Sequence, residues 1–503
     1  MASELVLATI IAVLFLIKLF SIAKNFISPL RSIPGPTLAR FSDSWYVWRM
    51  QQGHFEQDNQ TLHKKYGPIV RYGLNRYSFN DPAAAKVIYS LGGTSFPKSS
   101  WYDSWVAPGE VSLFADRHAK RHLNNRKLFQ NTYSMTSLIS YEPFVDTCAD
   151  IFTEKLKELS RQNSPIDMGH WFQCYAFDVI GMITYGKRLG FLYQGVDVGG
   201  VMKALEDFLS YAAPVGIYSK FHSVLFPVKN FFAGSKGSGR AYVISFTQDR
   251  LAEQLARFET VDEKDIMTAE PFMAKFITSS QEQPERFTRR HVTMGCVANM
   301  VAGSDTTGIT LSAILYYLLK TPDSLRKLRE EIDAFTREGR LSEHPTFHGT
   351  QQMPYLQAII KEGLRLHPAV GLPLEREVPA GGAKINGHYF PAGTIVGINA
   401  WVRHRDESVF GPDVDVFKPE RWFTEKEDVT VMNQNWMPFG LGSRTCIGRH
   451  ISMLEISKLV PHIVRDFDIT FDEDKVQGKD RWQTSNFWFV KPKGFVVRVT
   501  PRA

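Results

Sequence analysis

The chain has 503 residues, of which 44% are hydrophobic and 22% are charged, and its formal net charge is +7 at pH 7. This composition supplies a large apolar core, and the lack of a dense run of Lys and Arg argues against nucleic acid as a partner. Four cysteines in so long a chain do not indicate a disulfide framework. The mild basic excess fits an acidic protein partner or an anionic membrane surface.

The N-terminal stretch Leu5–Ala23 is nearly all apolar, and its one charged residue is Lys18. As a helix it nearly spans the ~30 Å hydrocarbon core of a bilayer. Glu4 precedes the stretch and basic residues follow it, so the positive-inside rule leaves the rest of the chain in the cytosol. We therefore predict a membrane anchor over residues 1–30 and one large domain over residues 31–503. A cleaved signal peptide is the alternative, but its n-region would lack Lys and Arg.

Short strands and helices are predicted in the first part of the large domain. The segments Tyr66–Tyr72 and Ser78–Phe79 favour strands around a turn. The dipeptide Asp81-Pro82 opens a helix, because an N-cap residue precedes a proline at the first helical position. Another helix is predicted over His118–Phe129.

Two hydrophobic segments have no single interpretation. Phe96–Phe114 is rich in aromatic residues but shows no clear periodicity, which predicts a loop. His222–Phe232 is apolar and lies within a mostly helical region over residues 140–290. This second segment either rests in a membrane interface beside the anchor or packs in the core.

A long apolar helix is predicted from about Arg290 to Lys320. Its middle, Ala302–Gly308, consists, apart from Ala302, of poor helix formers at the place where a buried helix should be strongest. Such a conflict between local and global preference often marks function. Side-chain hydroxyls that compete for backbone carbonyls can open a kink, and we expect the gap to admit dioxygen and water. The alternative is a polar interruption that faces a neighbouring helix.

The segment Phe439–Gly448 carries the strongest chemical signal in the chain. Gly440 allows the backbone to pass close to a bulky flat group. Cys446 lies beside Arg444 and near the start of a predicted helix, and both features favour its thiolate. A thiolate held under a flat group is typical of the axial ligand of a haem iron. A buried structural cysteine in a glycine-rich turn is the alternative.

The segment Phe439–Gly448 resembles the haem-binding signature of the cytochrome P-450 monooxygenases. Ala302–Gly308 resembles the oxygen-activation motif of that family, and Glu362–Arg365 followed by Phe417–Trp422 resembles two further family strings in the same order. The stretch Pro354–Trp422 is similar to the fungal pisatin demethylase-like branch. The resemblance covers essentially the whole chain after the anchor. It implies a mainly α cytochrome P-450 fold, a single large helical domain with small β-sheets and a buried haem b.

The resemblance also implies roles for individual residues. Cys446 is expected as the thiolate ligand of the haem iron, and Asp305 and Thr306 are expected as the acid and the alcohol that deliver protons to oxygen. Haem contacts are implied for Phe439, Gly440, Arg444, Arg126, Arg376 and His122, the last at a position where the family usually has tryptophan. A buried ion network that supports the haem loop is implied for Glu362, Arg365 and Arg421. Substrate contacts are implied for Trp101, Trp105, Phe114, Val370, Gly371, Leu372 and Phe487, although ordinary loop packing would also explain the aromatic segment.

These roles predict a haem-thiolate monooxygenase that inserts one oxygen atom from O2 into a hydrophobic small molecule, by hydroxylation or O-dealkylation. The expected setting is fungal secondary metabolite biosynthesis or detoxification, at the endoplasmic reticulum membrane, with a single span and a cytosolic catalytic domain. The chain has no nicotinamide or flavin fingerprint, so a separate flavoprotein, an NADPH-cytochrome reductase, is expected to supply electrons. Two alternatives stay open: a haem-thiolate isomerase or dehydratase that uses no dioxygen, and a non-catalytic haem-binding protein. Retention of Asp305 and Thr306 argues against the first alternative, and the anchor together with a complete oxygen motif argues against the second.

Overall fold

The computed structural model describes residues 28–90, 96–162, 164–233, 239–260, 269–472 and 483–502. The apolar stretch of the expected membrane anchor lies outside these described residues. Within them, no helix combines the length and the apolar character needed to cross a membrane.

Helices form most of the described chain. The first ten are α1 Ser44–Gln51, α2 Phe55–Tyr66, α3 Pro82–Ile88, α4 Ala119–Phe129, α5 Met135–Leu138, α6 Glu142–Arg161, α7 Met168–Tyr185, α8 Phe191–Gln194, α9 Val201–Ile217 and α10 His222–Ala233. The next ten are α11 Gly239–Thr260, α12 Phe272–Glu282, α13 Arg289–Lys320, α14 Pro322–Arg337, α15 Phe347–Gln351, α16 Pro354–Leu366, α17 Ala400–Arg403, α18 Glu407–Phe410, α19 Lys426–Asn435 and α20 Arg449–Asp466. Short 3₁₀ turns include Ser100–Trp105, Pro419–Phe423 and Gly442–Arg444.

The strands form small sheets of two to four strands each. They are β1 Ile69–Gly73, β2 Arg76–Phe79, β3 Ile166–Asp167, β4 Arg376–Glu377, β5 Ala383–Ile385, β6 His388–Phe390, β7 Ile395–Ile398, β8 Phe467–Phe471, β9 Gln483–Asn486, β10 Val490–Lys493 and β11 Val496–Pro501. A four-stranded sheet has the order β1-β2-β7-β4, and a three-stranded sheet has the order β3-β11-β8. The pairs β5-β6 and β9-β10 are antiparallel hairpins. This combination confirms the expected mainly α fold with small β-sheets.

Local sequence signals explain several of these boundaries. The strands β1 and β2 pair antiparallel, as expected around the turn. Helix α3 begins where it was predicted, because the Asp81 side chain accepts a hydrogen bond from the Ala84 N–H and Pro82 takes the first helical position. The strand β4 follows α16 and places Arg376 on the edge of the four-stranded sheet.

Helix α13 runs through the centre of the molecule and packs against α7, α16 and α20. Gly308 permits the close approach of α7, since a Cβ atom there would lie 3.1 Å from the backbone N and Cα of Gln173. Helices α6, α7, α13, α16 and α20 all contribute buried side chains to the largest apolar core. The middle of α13 is therefore held rigidly between packed helices, and what its side chains face is set by those neighbours.

The expected opening in α13 is not a break in the helix, which continues from Arg289 to Lys320 without interruption. The hydroxyls bond instead to carbonyls one turn earlier: Ser304 Oγ donates to Met300 O at 2.9 Å, and Thr306 Oγ1 donates to Ala302 O at 2.7 Å. Each hydroxyl thus adds a second donor to a carbonyl within the helix, a pattern that bends helices slightly without ending them.

Candidate active site

A cavity of about 430 Å³ lies between the middle of α13 and the loop before α20. Cys446 lies on the wall of this cavity, and its side chain is accessible from within it. The loop closes on itself because the Cys446 N–H donates to Phe439 O at 2.8 Å. Gly442 adopts a left-handed φ of +68°, and a Cβ atom there would lie 2.1 Å from Tyr89 O. The glycines therefore allow a tight loop that presents one thiol to the cavity.

Opposing effects act on the Cys446 thiol. Burial raises its pKa, whereas the backbone N–H of Gly448 and the positive charges of Arg126 and Arg449 act in the opposite direction. Helix α20 begins three residues after Cys446, so the thiol also lies near a helix N-terminus. A bound metal cation deprotonates a coordinating thiol outright, and these surroundings help to hold the resulting negative charge.

A cluster of cationic side chains lies on the same cavity wall. Arg126, Arg376 and Arg444 were predicted at the haem, and all three line the cavity. Lys98 lines it as well, and this residue was missed by the sequence analysis. Burial, followed by the charge of Arg376, lowers the pKa of Arg444 to about 10, and burial with the charges of Arg376 and Arg444 holds the pKa of Lys98 well below its ordinary value.

His122 is a further member of this wall, and burial and the neighbouring cations disfavour its charged form. Burial, followed by the charges of Arg444 and Lys98, lowers its pKa to about 3. The neutral imidazole keeps one N–H donor. It can therefore supply one hydrogen bond at the position where the family usually has the indole N–H of tryptophan.

The cavity fits haem b. No Asp or Glu is among the described residues that line it, so the clustered cations repel one another without a carboxylate in the cavity to compensate them. The Nη2 atom of Arg444 is buried and has no hydrogen-bond partner among the residues that the structure describes, while Nη1 donates to Asp116 O at 2.6 Å. A flat ligand with two carboxylates would pair with these cations, and the Cys446 thiolate would bind its iron. Arg126, Arg376, Arg444, Lys98 and His122 would then hold the propionates.

The opposite wall is built by α13, and it separates the two residues expected for proton delivery. Thr306 lines the cavity together with Ala302 and Gly303. Asp305 does not line it: its Oδ1 accepts a hydrogen bond from Gln173 Nε2 on α7, and its Oδ2 forms an ion pair with Lys491 Nζ at 2.8 Å. The structure therefore brings the alcohol, but not the acid, to the haem cavity.

The residues expected to contact substrate fall into two groups. Phe114, Val370 and Leu372 line the cavity. Trp101, Trp105, Gly371 and Phe487 are not among its lining residues. Trp101 and Trp105 are buried behind the wall, where the Trp101 Nε1–H donates to Ala213 O on α9 at 2.9 Å.

Sequence analysis missed much of the aromatic end of the cavity. Tyr102, Trp488 and Phe489 line it. The Trp488 ring lies 5.1 Å from that of Trp101 and 5.6 Å from that of Trp105 between centroids, so the buried tryptophans support a ring that faces the cavity. Trp488 adopts a φ of +104°, which is unusual for a residue other than glycine. Only the run of aromatics after Asn486 could have indicated this role.

A polar network holds Trp488 in that conformation. The Trp488 N–H donates to Asn486 Oδ1 at 3.1 Å, and the Asn486 Nδ2 donates to Glu56 Oε2 at 2.7 Å. The Gly371 N–H in turn donates to Trp488 O at 2.9 Å. Gly371 therefore positions the aromatic wall through its backbone.

The expected ion network is present and fully buried. The Glu362 carboxylate accepts hydrogen bonds from Arg365 Nε and Nη2 at 2.9 and 2.8 Å and from Arg421 Nε at 2.9 Å. Trp422 Nε1 adds a donor at 3.1 Å. Both Glu362 and Arg365 have side chains with 0% exposure, so these two charges depend on each other for solvation. Arg421 also pairs with Asp413 at 2.8 Å.

His404 connects this network to the haem loop and was missed by the sequence analysis. Arg365 Nη1 donates to His404 O at 2.8 Å, and the Met437 N–H donates to His404 Nε2 at 2.8 Å. Because Nε2 accepts, Nδ1 carries the proton and donates to Arg365 O at 3.0 Å. Burial holds the pKa of His404 well below its ordinary value, so the ring is neutral. Met437 lies two residues before Phe439, and the network thus fixes the start of the loop that presents Cys446.

A sequence model of the family described as Cytochrome P450 matches residues 35–498 of the chain. The chain belongs to the cytochrome P450 family. A pisatin demethylase of Fusarium vanettenii is 38% identical over 492 residues, which cover 96% of this chain and 93% of that protein. Cytochrome P450 monooxygenase cicH of Emericella nidulans is 36% identical over 478 residues, with 94% of each chain covered. Cytochrome P450 monooxygenase gsfF of Penicillium aethiopicum is 35% identical over 488 residues, again with 94% of each covered.

Membership of the cytochrome P450 family confirms several predictions made from the sequence. The fold is the cytochrome P450 fold, the cofactor is haem with a cysteine thiolate ligand, and the enzyme class is that of oxidoreductases. The relatives are fungal proteins, as the resemblance implied.

Replacement of Glu362 should destabilise this cytochrome P450 strongly. Glu362→Ala leaves Arg365 buried without its anion and leaves Arg421 with Asp413 as its remaining carboxylate partner among the described residues, and breaking a buried pair costs about 3–5 kcal/mol. Glu158→Ala is the matched control, because Glu158 pairs with Lys155 on the surface with 53% of its side chain exposed, and exposed pairs contribute about 0–1 kcal/mol. The measurements are the free energy of unfolding and the haem content of the purified protein. Equal losses in the two variants would contradict the role of the buried network.

Proposed function

We propose that this cytochrome P450 inserts one oxygen atom from O2 into a hydrophobic, aromatic small molecule, by hydroxylation or O-dealkylation. We place this reaction in fungal secondary metabolite biosynthesis or detoxification. Oxidative dealkylation is supported by the name of one relative, pisatin demethylase, and oxygen insertion by the names of two other fungal relatives, both monooxygenases.

One juxtaposition carries this proposal: the Cys446 thiol and the Thr306 hydroxyl line the same cavity. The cations lie on its wall as well, and Tyr102, Phe114 and Trp488 give it an aromatic surface. A cofactor that binds the thiolate would therefore lie between Cys446 and α13, and an apolar substrate would contact the aromatic residues.

Each group of residues around the haem cavity has its own role in the proposed reaction. When bound, haem supplies the iron at which dioxygen is reduced and its O–O bond is cleaved, and the thiolate ligand favours that cleavage. Cys446 provides the ligand, and the cations hold the propionates. The aromatic side chains bind substrate and exclude water. The Thr306 hydroxyl, which donates to Ala302 O in the structure, can rotate to donate its proton into the cavity.

Electrons are proposed to come from an NADPH-cytochrome reductase. Exposed basic residues on α4 and at the start of α20, among them Lys120, Lys127 and Arg449, give this side of the haem cavity a positive surface. Such a surface suits an acidic flavoprotein domain and would speed its association.

We further propose that residues 1–30 anchor the protein to the endoplasmic reticulum membrane with a single span and a cytosolic catalytic domain. The apolar sequence of the N-terminal stretch supports the anchor. An exposed apolar face on α10 gives additional support, since Val224 is 63% exposed and Phe231 is 82% exposed. This face would rest in the membrane interface beside the anchor.

Thr306→Ala tests the monooxygenase function. Alanine is a good helix former, so folding should be preserved, but the proton donor is lost, and a positioned acid–base group contributes about 10²–10⁴-fold to a rate. With a reductase, NADPH and pisatin or a panel of methoxylated arenes, we expect NADPH consumption to continue while product falls and hydrogen peroxide rises. The measurement is a balance of NADPH, peroxide and product, together with oxygen incorporation from isotope-labelled O2 in the wild type.

Thr307→Ala is the matched control for this experiment. Thr307 is the neighbouring alcohol, but its Oγ1 lies 3.2 Å from Ser452 Oγ on α20, and it does not line the cavity. We expect normal coupling of NADPH to product in this variant. Product formation by the wild type without NADPH and O2 would instead support an isomerase or dehydratase.

Deletion of residues 1–30 tests the anchor. We expect the truncated protein to lose most of its membrane association and to keep its haem, because the described residues that line the haem cavity all follow the deleted segment. Changing Val224 and Phe231 to serine in the truncated protein should remove residual membrane binding. The measurements are the fraction sedimenting with membranes and the haem absorbance. Loss of haem on truncation would show that the N-terminal segment belongs to the fold.

A further inference from the structure

The β9-β10 hairpin carries part of the aromatic end of the haem cavity in its turn. Asn486 pairs with Val490, so the turn consists of the residues between them. Two of these, Trp488 and Phe489, line the haem cavity. A two-stranded hairpin is only marginally stable by itself. The position of this aromatic wall therefore depends on the contacts that the hairpin makes with the rest of the protein.

One set of contacts attaches the hairpin to the segment that follows α16. The Gly371 N–H donates to Trp488 O at 2.9 Å, and Val370 and Phe489 form an antiparallel bridge. The chain at Phe489 is therefore extended and continues directly into β10. These backbone contacts fix the hairpin against one neighbour, but they do not connect it to α13, which forms another wall of the cavity.

An ion pair connects the hairpin to α13. Lys491 Nζ lies 2.8 Å from Asp305 Oδ2, and the Asp305 side chain is 1% exposed, whereas that of Lys491 is 23% exposed. Gln173 on α7 donates to the other carboxylate oxygen, so the acid is held between α7 and β10. A buried carboxylate needs a partner for its charge, and Lys491 supplies that partner from the hairpin.

The ion pair lies on the faces of α13 and of the hairpin that also pack at the aromatic end of the cavity. Asp305 and Ile309 lie one helical turn apart on the same face of α13, and Phe489 and Lys491 alternate onto the same face of the extended chain. Ile309, Trp488 and Phe489 belong to one cluster of buried apolar side chains, and β10 packs against α13. The contact between Lys491 and Asp305 therefore also sets the position of the two rings next to it.

We propose that Lys491 and Asp305 determine specificity for aromatic ligands by positioning the turn that carries Trp488 and Phe489. Neither Lys491 nor Asp305 is among the described residues that line the haem cavity, so both act through the two rings and not by touching the ligand. The inference rests on the proposed function only for the class of substrate, a small molecule with an aromatic ring. Loss of the ion pair lets the turn move away from α13, and an aromatic ligand then loses contact with it.

The first test uses two ligands of the haem iron that differ by one aromatic ring. Imidazole and 4-phenylimidazole both bind through a ring nitrogen, but only the second ligand extends a phenyl group toward the aromatic wall. Their dissociation constants are measured from the shift of the haem absorbance in the oxidised, haem-loaded protein. We expect Lys491→Met to weaken binding of 4-phenylimidazole by roughly fivefold, equivalent to about 1 kcal/mol, and to leave binding of imidazole unchanged.

Two further variants serve as controls for this comparison. Lys491→Arg keeps the positive charge, so it should recover most of the affinity for 4-phenylimidazole. Lys493→Met removes the charge of an exposed lysine on the same strand, and it should match the wild type with both ligands. Because the ligands bind the resting protein, the readout is independent of oxygen chemistry and of the reductase.

A double variant tests whether Lys491 acts through Trp488. Trp488→Ala should itself weaken binding of 4-phenylimidazole, because it removes a ring from the wall. In this background we expect Lys491→Met to have no further effect, since residues that act through one another are not additive. A merely structural role of Lys491 would instead lower haem content and thermal stability and weaken both ligands together.

Three outcomes would overturn the proposal: equal weakening of the two ligands in Lys491→Met, an equal effect of Lys493→Met, and full additivity of Lys491→Met with Trp488→Ala. If Lys491→Met does not incorporate haem, Asp305→Asn carries the same comparison, because it removes the other charge of the pair and should weaken 4-phenylimidazole alone. Failure of the wild type to oxidise arenes with NADPH and O2 would refute the monooxygenase function instead, and the two-ligand comparison would still decide the role of the ion pair.

Discussion

The position of the Cys446 thiol opposite the middle of α13 is the constraint on which the rest of the structure depends. The thiol is held there by a loop that closes through the Cys446 N–H to Phe439 O bond and begins at Met437. Met437 is fixed through His404 to the buried Glu362–Arg365 pair. On the other side, α13 is fixed because α7 packs directly on Gly308. Two independent sets of contacts thus set the spacing between ligand and proton donor.

The charges that line the haem cavity indicate that the protein needs its cofactor to balance them. Arg126, Arg376, Arg444 and Lys98 share one wall without an acidic residue among the described lining residues. Burial, together with their mutual repulsion, lowers the pKa values of Arg444 and Lys98. Two propionates relieve this repulsion, so haem binding and stability are coupled by ordinary linkage. The cationic wall therefore strengthens binding of the cofactor but lowers the stability of the protein without haem.

The parts of the site that are formed by short contiguous segments of the sequence were predictable from the sequence. The loop around Cys446 and the pairing of Glu362 with Arg365 depend on residues within a few positions of one another. The orientation of Asp305 was not predictable, because it is decided by Gln173 and Lys491, which come from distant parts of the chain. Neighbouring residues on a helix point in different directions. Only the packing of α7 and of the β9-β10 hairpin determines which of these side chains faces the haem cavity.

The same reasoning applies to Lys98 and Trp488, which the sequence analysis did not identify. Lys98 reaches the haem cavity through an irregular segment with no periodicity to interpret. Trp488 faces the cavity because Asn486 and Glu56 hold its backbone at a φ of +104°, a conformation that no propensity scale assigns to tryptophan. A related reason explains why the polar middle of α13 does not end the helix: in a helix packed on several sides, the hydroxyls bond to the preceding turn without breaking it.

The most direct measurement of the central claim is the carbon monoxide difference spectrum of the reduced, haem-loaded protein. The thiolate ligand of Cys446 should give the red-shifted band by which haem-thiolate proteins are known, and Cys446→Ser should lose that band. Cys174→Ser is the control, because Cys174 is buried in α7 away from the haem cavity and should leave the band unchanged. A red-shifted band that persists in Cys446→Ser would contradict the account and assign the iron to another ligand.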